Sequence, residues 1–509
     1  MQPKNHNTAM GKISEQLRFR PVLAEVVGNV DYQREKELLI RIDELLITSG
    51  IEKMFIRESM AQWKESSIGA AANAKLEGRR EELSGVALRS MILMEVINES
   101  YRGISRRLAQ CPLFQWFCGL DHVGVVKVPS KSTLQRFHEW TDVETIKRIN
   151  IDLIKAAVRT PEADDIHELA LKKAIELETI WLDSTAVKAK IHYPVDWVLL
   201  RDATRTLMLA TKLIREHGLR HRMKDPSSFL KQMNGLCMAM TGSRRKAQVK
   251  RSRKRVLRQM KRLLKTVRDH ALRHRDLLDR EWEQTDWTRP QVDQILGRID
   301  NVLLQLPGAI EQAHRRIIQE KTVGNDKKIL SLYDPDIRVI VRGKANAEVE
   351  FGNSLMICEQ RDGVIVNWKL TKDKVPSDSQ ELRPKIEEIT EAFGESTVKA
   401  AVTDRQFDSG ANRAWLKERK IYNGLCPRDP KTLKAKTGSK KYQKLQKRRA
   451  QTEARISILK NGFLGDPMRV KGFENRELRV AWGILAHNLW VIARLEKGDE
   501  QETQLAKAA

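Results

Sequence analysis

The chain has 509 residues, with 93 Lys or Arg against 67 Asp or Glu and a formal charge of +26. That length is more than one hydrophobic core usually organises, so about two to four structural units are expected. An apolar fraction of 41% excludes wholesale disorder, and the positive excess points to a polyanionic partner, nucleic acid first. Five scattered cysteines without a C-x-x-C pair exclude a disulfide framework and a zinc knuckle, and fit a reducing cytoplasm. No stretch approaches the roughly 18 apolar residues of a membrane helix. The nearest, Gly85 to Ile97, is broken by Arg89, Ser90 and Glu95, and Met1 to Gln16 lacks the apolar centre of a secretory signal.

After a tail, residues 1–29, the segment 30–150 reads as an all-α unit for DNA binding or dimerisation. Leu38, Leu39, Ile42, Leu45 and Leu46 recur at helical spacing, as do Val86, Leu88, Ile92, Leu93 and Val96. Gly69 to Arg80 between them reads as a loop. Ile104 to Leu108 makes a short basic helix, and Pro129 to Phe137 opens another with Ser130 or Ser132 as N-cap. Lys131, Thr133 and Arg136 on that second helix suit phosphates and base edges. The pair is either a loose helix-turn-helix or part of a small dimerising bundle.

Residues 172–195 carry a first strand, Thr179 to Val187, with Asp183 expected near the end of its buried part. Residues 196–325 read as a helical insertion. Val249, Val256, Met260, Leu263 and Val267 mark one long helix, and Val292, Ile295, Ile299, Val302 and Leu306 mark its antiparallel partner. Residues 244–275 hold fifteen Lys or Arg and one acid, Asp269. So one-sided a run suggests contact with a DNA backbone, with Arg253 and Lys254 as candidate contacts. The histidine pairs His217/His221 and His270/His274 lack a third ligand and read as seam or surface residues.

Residues 326–497 change to strand periodicity, leaving a C-terminal tail, 498–509. Leu355 to Thr371 is a hairpin around Asp362-Gly363. A helix (Ser379 to Phe393), a strand (Val398 to Val402) ending at Asp404, a helix (Ser409 to Arg419) and a strand (Tyr422 to Cys426) follow. A basic loop (Pro427 to Lys441), a helix (Lys441 to Gly462) and an amphipathic helix (Arg476 to Leu495) complete the chain. With the insertion removed, this is the element order of a ribonuclease-H-like α/β core with a mixed five-stranded sheet. Asp183 and Asp404 would then end adjacent central strands, with Glu453 on the following helix. Three carboxylates suit Mg²⁺ or Mn²⁺, hard cations that activate a water or 3′-hydroxyl and stabilise the leaving oxygen of a phosphodiester.

At these residues the chain resembles the DDE transposases of bacterial insertion sequences. Asp183-Ser184-Thr185 is similar to the family's Asp-x-Thr, and Asp404 with Asp408, Ser409 and Asn412 is similar to its second motif. Arg449, Glu453 and Lys460, spaced four and seven apart, match its Arg-x-x-x-Glu-x-x-x-x-x-x-Lys helix. Arg342-Gly343-Lys344, Phe351-Gly352-Asn353 and Pro129 to Phe137 add to the likeness.

The resemblance implies Asp183, Asp404 and Glu453 as catalytic metal ligands, with Arg449 and Lys460 on transposon-end phosphates. It further implies binding of double-stranded DNA, both transposon ends and target, by a homodimer in the end-paired complex, with metal-dependent hydrolysis and strand transfer. An inactive transposase-derived DNA-binding protein and a nuclease of this fold without strand transfer remain open alternatives. The tyrosine that often precedes the arginine by three positions is replaced by Gln446, and no glycine follows Asp404 closely.

Overall fold

The computed structural model describes residues 23–66, 74–120, 125–159, 167–241, 246–344, 347–373 and 376–498. Met1 to Gln16, most of the 1–29 and 498–509 tails, and the first half of the Gly69–Arg80 segment lie outside them. Among the described residues seven helices precede the first strand: α1 (Val30–Thr48), α2 (Ile51–Ser66), α3 (Ala74–Val96), α4 (Tyr101–Gln110), α5 (Pro112–Phe117), α6 (Lys131–His138) and α7 (Val143–Val158). From Ala74 to Arg80 the expected loop is the first turns of α3, because its long side chains favour helix as much as solvent. Ser130, one of the two expected candidates, caps α6 by accepting the Thr133 N–H.

Strand β1 (Thr179–Lys188) leads into four helices: α8 (Asp196–Glu216), α9 (Pro226–Thr241), α10 (Lys246–Glu281) and α11 (Arg289–Ala313). The expected hairpin is α10 with α11, and Gln291 closes the start of α11 by accepting the Thr288 N–H at 2.8 Å. Both apolar series are buried apart from the half-buried Val249, and they meet α8 and α9 in a core of their own. The insertion is therefore a helical unit of four helices rather than a bare hairpin.

The sheet contains β2 (Arg338–Lys344), β3 (Ala347–Glu359), β4 (Ile365–Thr371) and β1, followed after α12 (Asp378–Phe393) by β5 (Ala400–Thr403) and after α13 (Gly410–Glu418) by β6 (Tyr422–Leu425). Its order is β2-β3-β1-β5-β6, with β4 also on β3. It has six strands where five were expected. The extra strand is β2, whose Val339-Ile340-Val341 run pairs antiparallel with the early residues of β3, while β4 takes the later ones. The β3–β4 turn is the expected Asp362-Gly363, with Gly363 at φ +100° where a side chain would be strained.

The basic loop after β6 contains α14 (Pro430–Thr437), capped by Asp429, which accepts the Thr432 N–H. Helix α15 (Lys440–Ile458) continues through a π-helical turn, Leu459–Leu464, and α16 (Phe473–Ala493) ends the fold. α16 is not amphipathic as expected. Every residue from Arg479 to Leu489 is buried, because the helix lies between α3, α7 and the β4 side of the sheet. Its arginines enter the interior only with partners: Arg476 with Asp334 and Arg479 with Glu95. One apolar core thus runs from the N-terminal helices through α16 to the sheet.

Candidate active site

Asp183 sits in the middle of β1 rather than near its end, because β3 pairs along β1 from Trp181 to Lys188. The parallel partner β5 pairs only as far as Trp181 with Val402. Asp183 and Asp404 each lie two residues beyond that last matched pair. Neighbouring strands run about 4.8 Å apart, and residues two apart share a face. Two carboxylates therefore emerge side by side where the parallel pairing stops, beyond the carboxyl end of β5.

α15 packs over this face. Trp181 on β1 donates its indole N–H to the Leu445 carbonyl at 3.2 Å, and the Arg448 guanidinium lies 4.2 Å from its ring centroid. Arg448 also donates to the buried Glu359 carboxylate on β3 and to the Gln360 and Arg361 carbonyls at 2.7 and 2.8 Å. Thr452 donates to Glu359 at 2.6 Å. Gln446, in place of the frequent tyrosine, donates to the Thr403 and Gly424 carbonyls at 3.2 and 2.7 Å, joining α15 to the ends of β5 and β6. These bonds orient Arg449 and Glu453 toward the two aspartates. The Arg449 guanidinium is 3.6 Å from the Asp183 carboxylate and 4.0 Å from that of Glu453.

The cleft so formed encloses about 650 Å³, and Asp183, Asp404, Arg449, Glu453 and Lys460 all line it. Burial pushes the Asp183 carboxyl up to about 6, and the neighbouring Asp404 charge pushes in the same direction. The Ser184 N–H and Arg449 act against them. Asp404 accepts the Gln406 N–H at 2.9 Å. The Asp183 side chain is 14% exposed and that of Glu453 is 66% exposed. Among the described residues no three His, Cys, Asp or Glu side chains are grouped closely enough to hold a metal ion. The donor chemistry nevertheless suits a hard divalent cation: carboxylates line one cleft, and that of Asp183 is held above its ordinary pKa by burial and by the Asp404 charge.

The cleft holds further residues that the motifs did not single out. Asp378, at the start of α12, accepts a hydrogen bond from the Ser184 hydroxyl at 3.2 Å. Asp466 lies 3.2 Å from the Lys188 ammonium and 3.6 Å from that of Lys460. The Gly465-Asp466-Pro467 turn after the π-helical segment was the only sequence signal for the latter.

The other candidates lie elsewhere. Lys131 and Arg136 are exposed on α6, and Thr133 is half-buried with its hydroxyl 3.4 Å from Arg136. On α10, Arg253 donates to the Met240 carbonyl at 3.0 Å and stands over Trp197, while Lys254 pairs with Glu320 at 2.8 Å. Both are committed within the insertion. His217 bonds Asp286 at 2.6 Å, and His274 is buried with its ring bonded to the His270 carbonyl, so neither pair gathers further ligands. No described helix is long and apolar enough to cross a membrane.

Residues 344–489 match a family model described as the transposase DDE domain. Asp404, Arg449, Glu453 and Lys460 fall inside the matched segment, and Asp183 precedes it. No curated protein and no solved structure matches the chain.

Proposed function

With a transposase DDE domain at residues 344–489 the chain is a DDE transposase, and we propose that it binds the inverted-repeat ends of its own element, cleaves them and joins them to target DNA. The observation that carries this reading is the convergence of Asp183, Asp404, Glu453, Arg449 and Lys460 on one cleft, from segments as far apart as β1 and the turn after α15. The strand order, with an antiparallel set on one side of β1 and the parallel pair β5 and β6 on the other, supports a ribonuclease-H-like core. In open α/β sheets such a crossover is where ligands bind.

Asp183, Asp404 and Glu453 would hold Mg²⁺ or Mn²⁺. When bound, such ions supply an activated oxygen nucleophile and stabilise the leaving oxygen. Asp183 and Asp404 fix the sheet side of the cleft and Glu453 its helix side. Arg449 neutralises the acids until phosphate enters, and then turns its donors toward that phosphate, as guanidinium groups do well. Lys460 supplies a second cation on the same wall. Lys131, Thr133 and Arg136 of α6 would contact the element end, and a homodimer would pair two ends in the cytoplasm of the cell.

The test incubates the full chain, Mg²⁺, a labelled duplex bearing the inverted repeat and a target plasmid. Cleavage and labelled plasmid are expected from the wild type. Asp183→Asn and Asp404→Asn should abolish both while duplex binding persists. Cleavage that survives both substitutions defeats the reading, and cleavage without labelled plasmid reduces it to a nuclease.

A further inference from the structure

One face of α10 carries a row that neither the cleft nor the insertion core uses. Arg251, Arg255, Arg258, Arg262 and Lys265 are all exposed. Their spacing of four, three, four and three keeps them on one side of a helix. At about 1.5 Å per residue the row is about 21 Å long. The opposite side, including Leu257, Met260 and Leu264, is buried against the other helices of the insertion.

None of the five side chains has an ion pair or hydrogen bond among the described residues, whereas several basic neighbours have partners. Lys250 and Lys254 share Glu320, Arg253 is tied to Met240, and Arg275 reaches Asp300 and Asp279. Between Arg251 and Lys265 there are eight Lys or Arg and no acid, and the acids of α10 begin at Asp269. Like charges three and four apart on a helix repel one another. The row therefore has no rationale inside the folded chain and is suited to an external anion.

We infer that this row is a docking ridge for the sugar-phosphate backbone of double-stranded DNA, separate from the cleft. The inference rests on the transposase reading for its choice of polyanion. A straight, rigid row of about 21 Å spans about six base-pair steps of a duplex at about 3.4 Å of rise each, a length that carries about twelve phosphates on the two strands together. A membrane surface fits poorly, because a helix lying in lipid needs an exposed apolar face, and the apolar face of α10 is buried. The residues between the cations on the outer side, Ser252, Gln259 and Thr266, are small or polar. Backbone contact without base readout makes the ridge indifferent to sequence. It would hold any duplex that runs through the complex, and Arg253 and Lys254 belong to its support.

The experiment measures binding of the full chain to a labelled inverted-repeat duplex and to a scrambled one over a range of NaCl concentrations. Changing the five residues to Gln should flatten the slope of log affinity against log salt by about 4 to 5, from about 0.9 per phosphate contact. The loss should be equal for both duplexes. Changing the four arginines to Lys should keep the wild-type slope. If the Gln variant loses its thermal transition, R251Q/R255Q and R262Q/K265Q should each flatten the slope by about 2. A Gln variant with the wild-type slope, a loss confined to the inverted repeat, or ridge-dependent binding to anionic vesicles instead of duplex overturns the ridge alone. A wild-type chain without salt-dependent affinity for either duplex overturns the transposase reading with it.

Discussion

Arg448 and Arg449 are adjacent on α15 but should fail in opposite ways when replaced. Arg448→Met keeps an apolar stem over Trp181 and removes the guanidinium. Glu359, 2% exposed, is then left with the Thr452 hydroxyl at 2.6 Å and Arg455 at 3.8 Å. Breaking a buried ion pair by deleting one partner costs about 3–5 kcal/mol, and the remaining contacts favour the lower figure. Arg449 faces an open cleft, and Arg449→Gln should cost about 1 kcal/mol or less. Equilibrium urea unfolding reads the first effect, and cleavage of an end duplex reads the second. Arg448→Met is expected to be less stable by about 3 kcal/mol and to need more Mg²⁺ for half-maximal cleavage, because Glu453 loses its anchor. Arg449→Gln is expected to stay stable and lose duplex cleavage. An Arg448→Met variant within about 1 kcal/mol of wild type would refute the clamp, since a buried Glu359 left short of partners must cost more.

The Asp183 carboxyl, raised to about 6, gives a signed pH dependence. Its folded-state pKa lies above the ordinary value, so the folded protein holds the proton more tightly and stability falls as pH rises from about 4 to about 6. Asp404→Asn removes one of the causes, the charge next in size after burial, and should move the Asp183 titration, followed by carboxyl NMR in metal-free protein, to lower pH; no movement would separate the two acids. Arg253→Ala loses the Met240 bond and the Trp197 contact. It should destabilise the insertion by about 1–2 kcal/mol, seen by thermal melting, with the salt slope of DNA binding unchanged. Gly352→Ala would set a Cβ 1.9 Å from the Val187 carbonyl, so it should disrupt the β1–β3 pairing and yield little folded protein, measured as soluble yield and circular dichroism.

That Asp183, Asp404, Arg449, Glu453 and Lys460 line one cleft was legible in their order and spacing: a carboxylate on one apolar strand, another just after a second, and Arg449, Glu453 and Lys460 four and seven apart. The Asp362-Gly363 hairpin and the Ser130 cap were legible because local turn chemistry decides them. What stayed hidden depends on distant partners. β2 is a strand because the early part of β3 lies beside it, and α16 is buried because the N-terminal helices cover it. Arg253 and Lys254 looked like DNA contacts by composition alone. Only the phase of α10 separates them from Arg251, Arg255 and Arg258, and that phase depends on which side meets the insertion core. Asp378 reaches the cleft from the first residue of α12 and Asp466 from a turn, neither with a motif spacing of its own.

The central claim is that Asp183, Asp404 and Glu453 bind divalent metal together. Its most direct measurement replaces Mg²⁺ with Fe²⁺ in the complex of the full chain with an end duplex, adds ascorbate and peroxide, and maps where the polypeptide is cut. Cuts are expected close to residues 183, 404 and 453, all three fading together in Asp183→Asn. Cuts confined to other segments, or an unchanged pattern in Asp183→Asn, would contradict the claim.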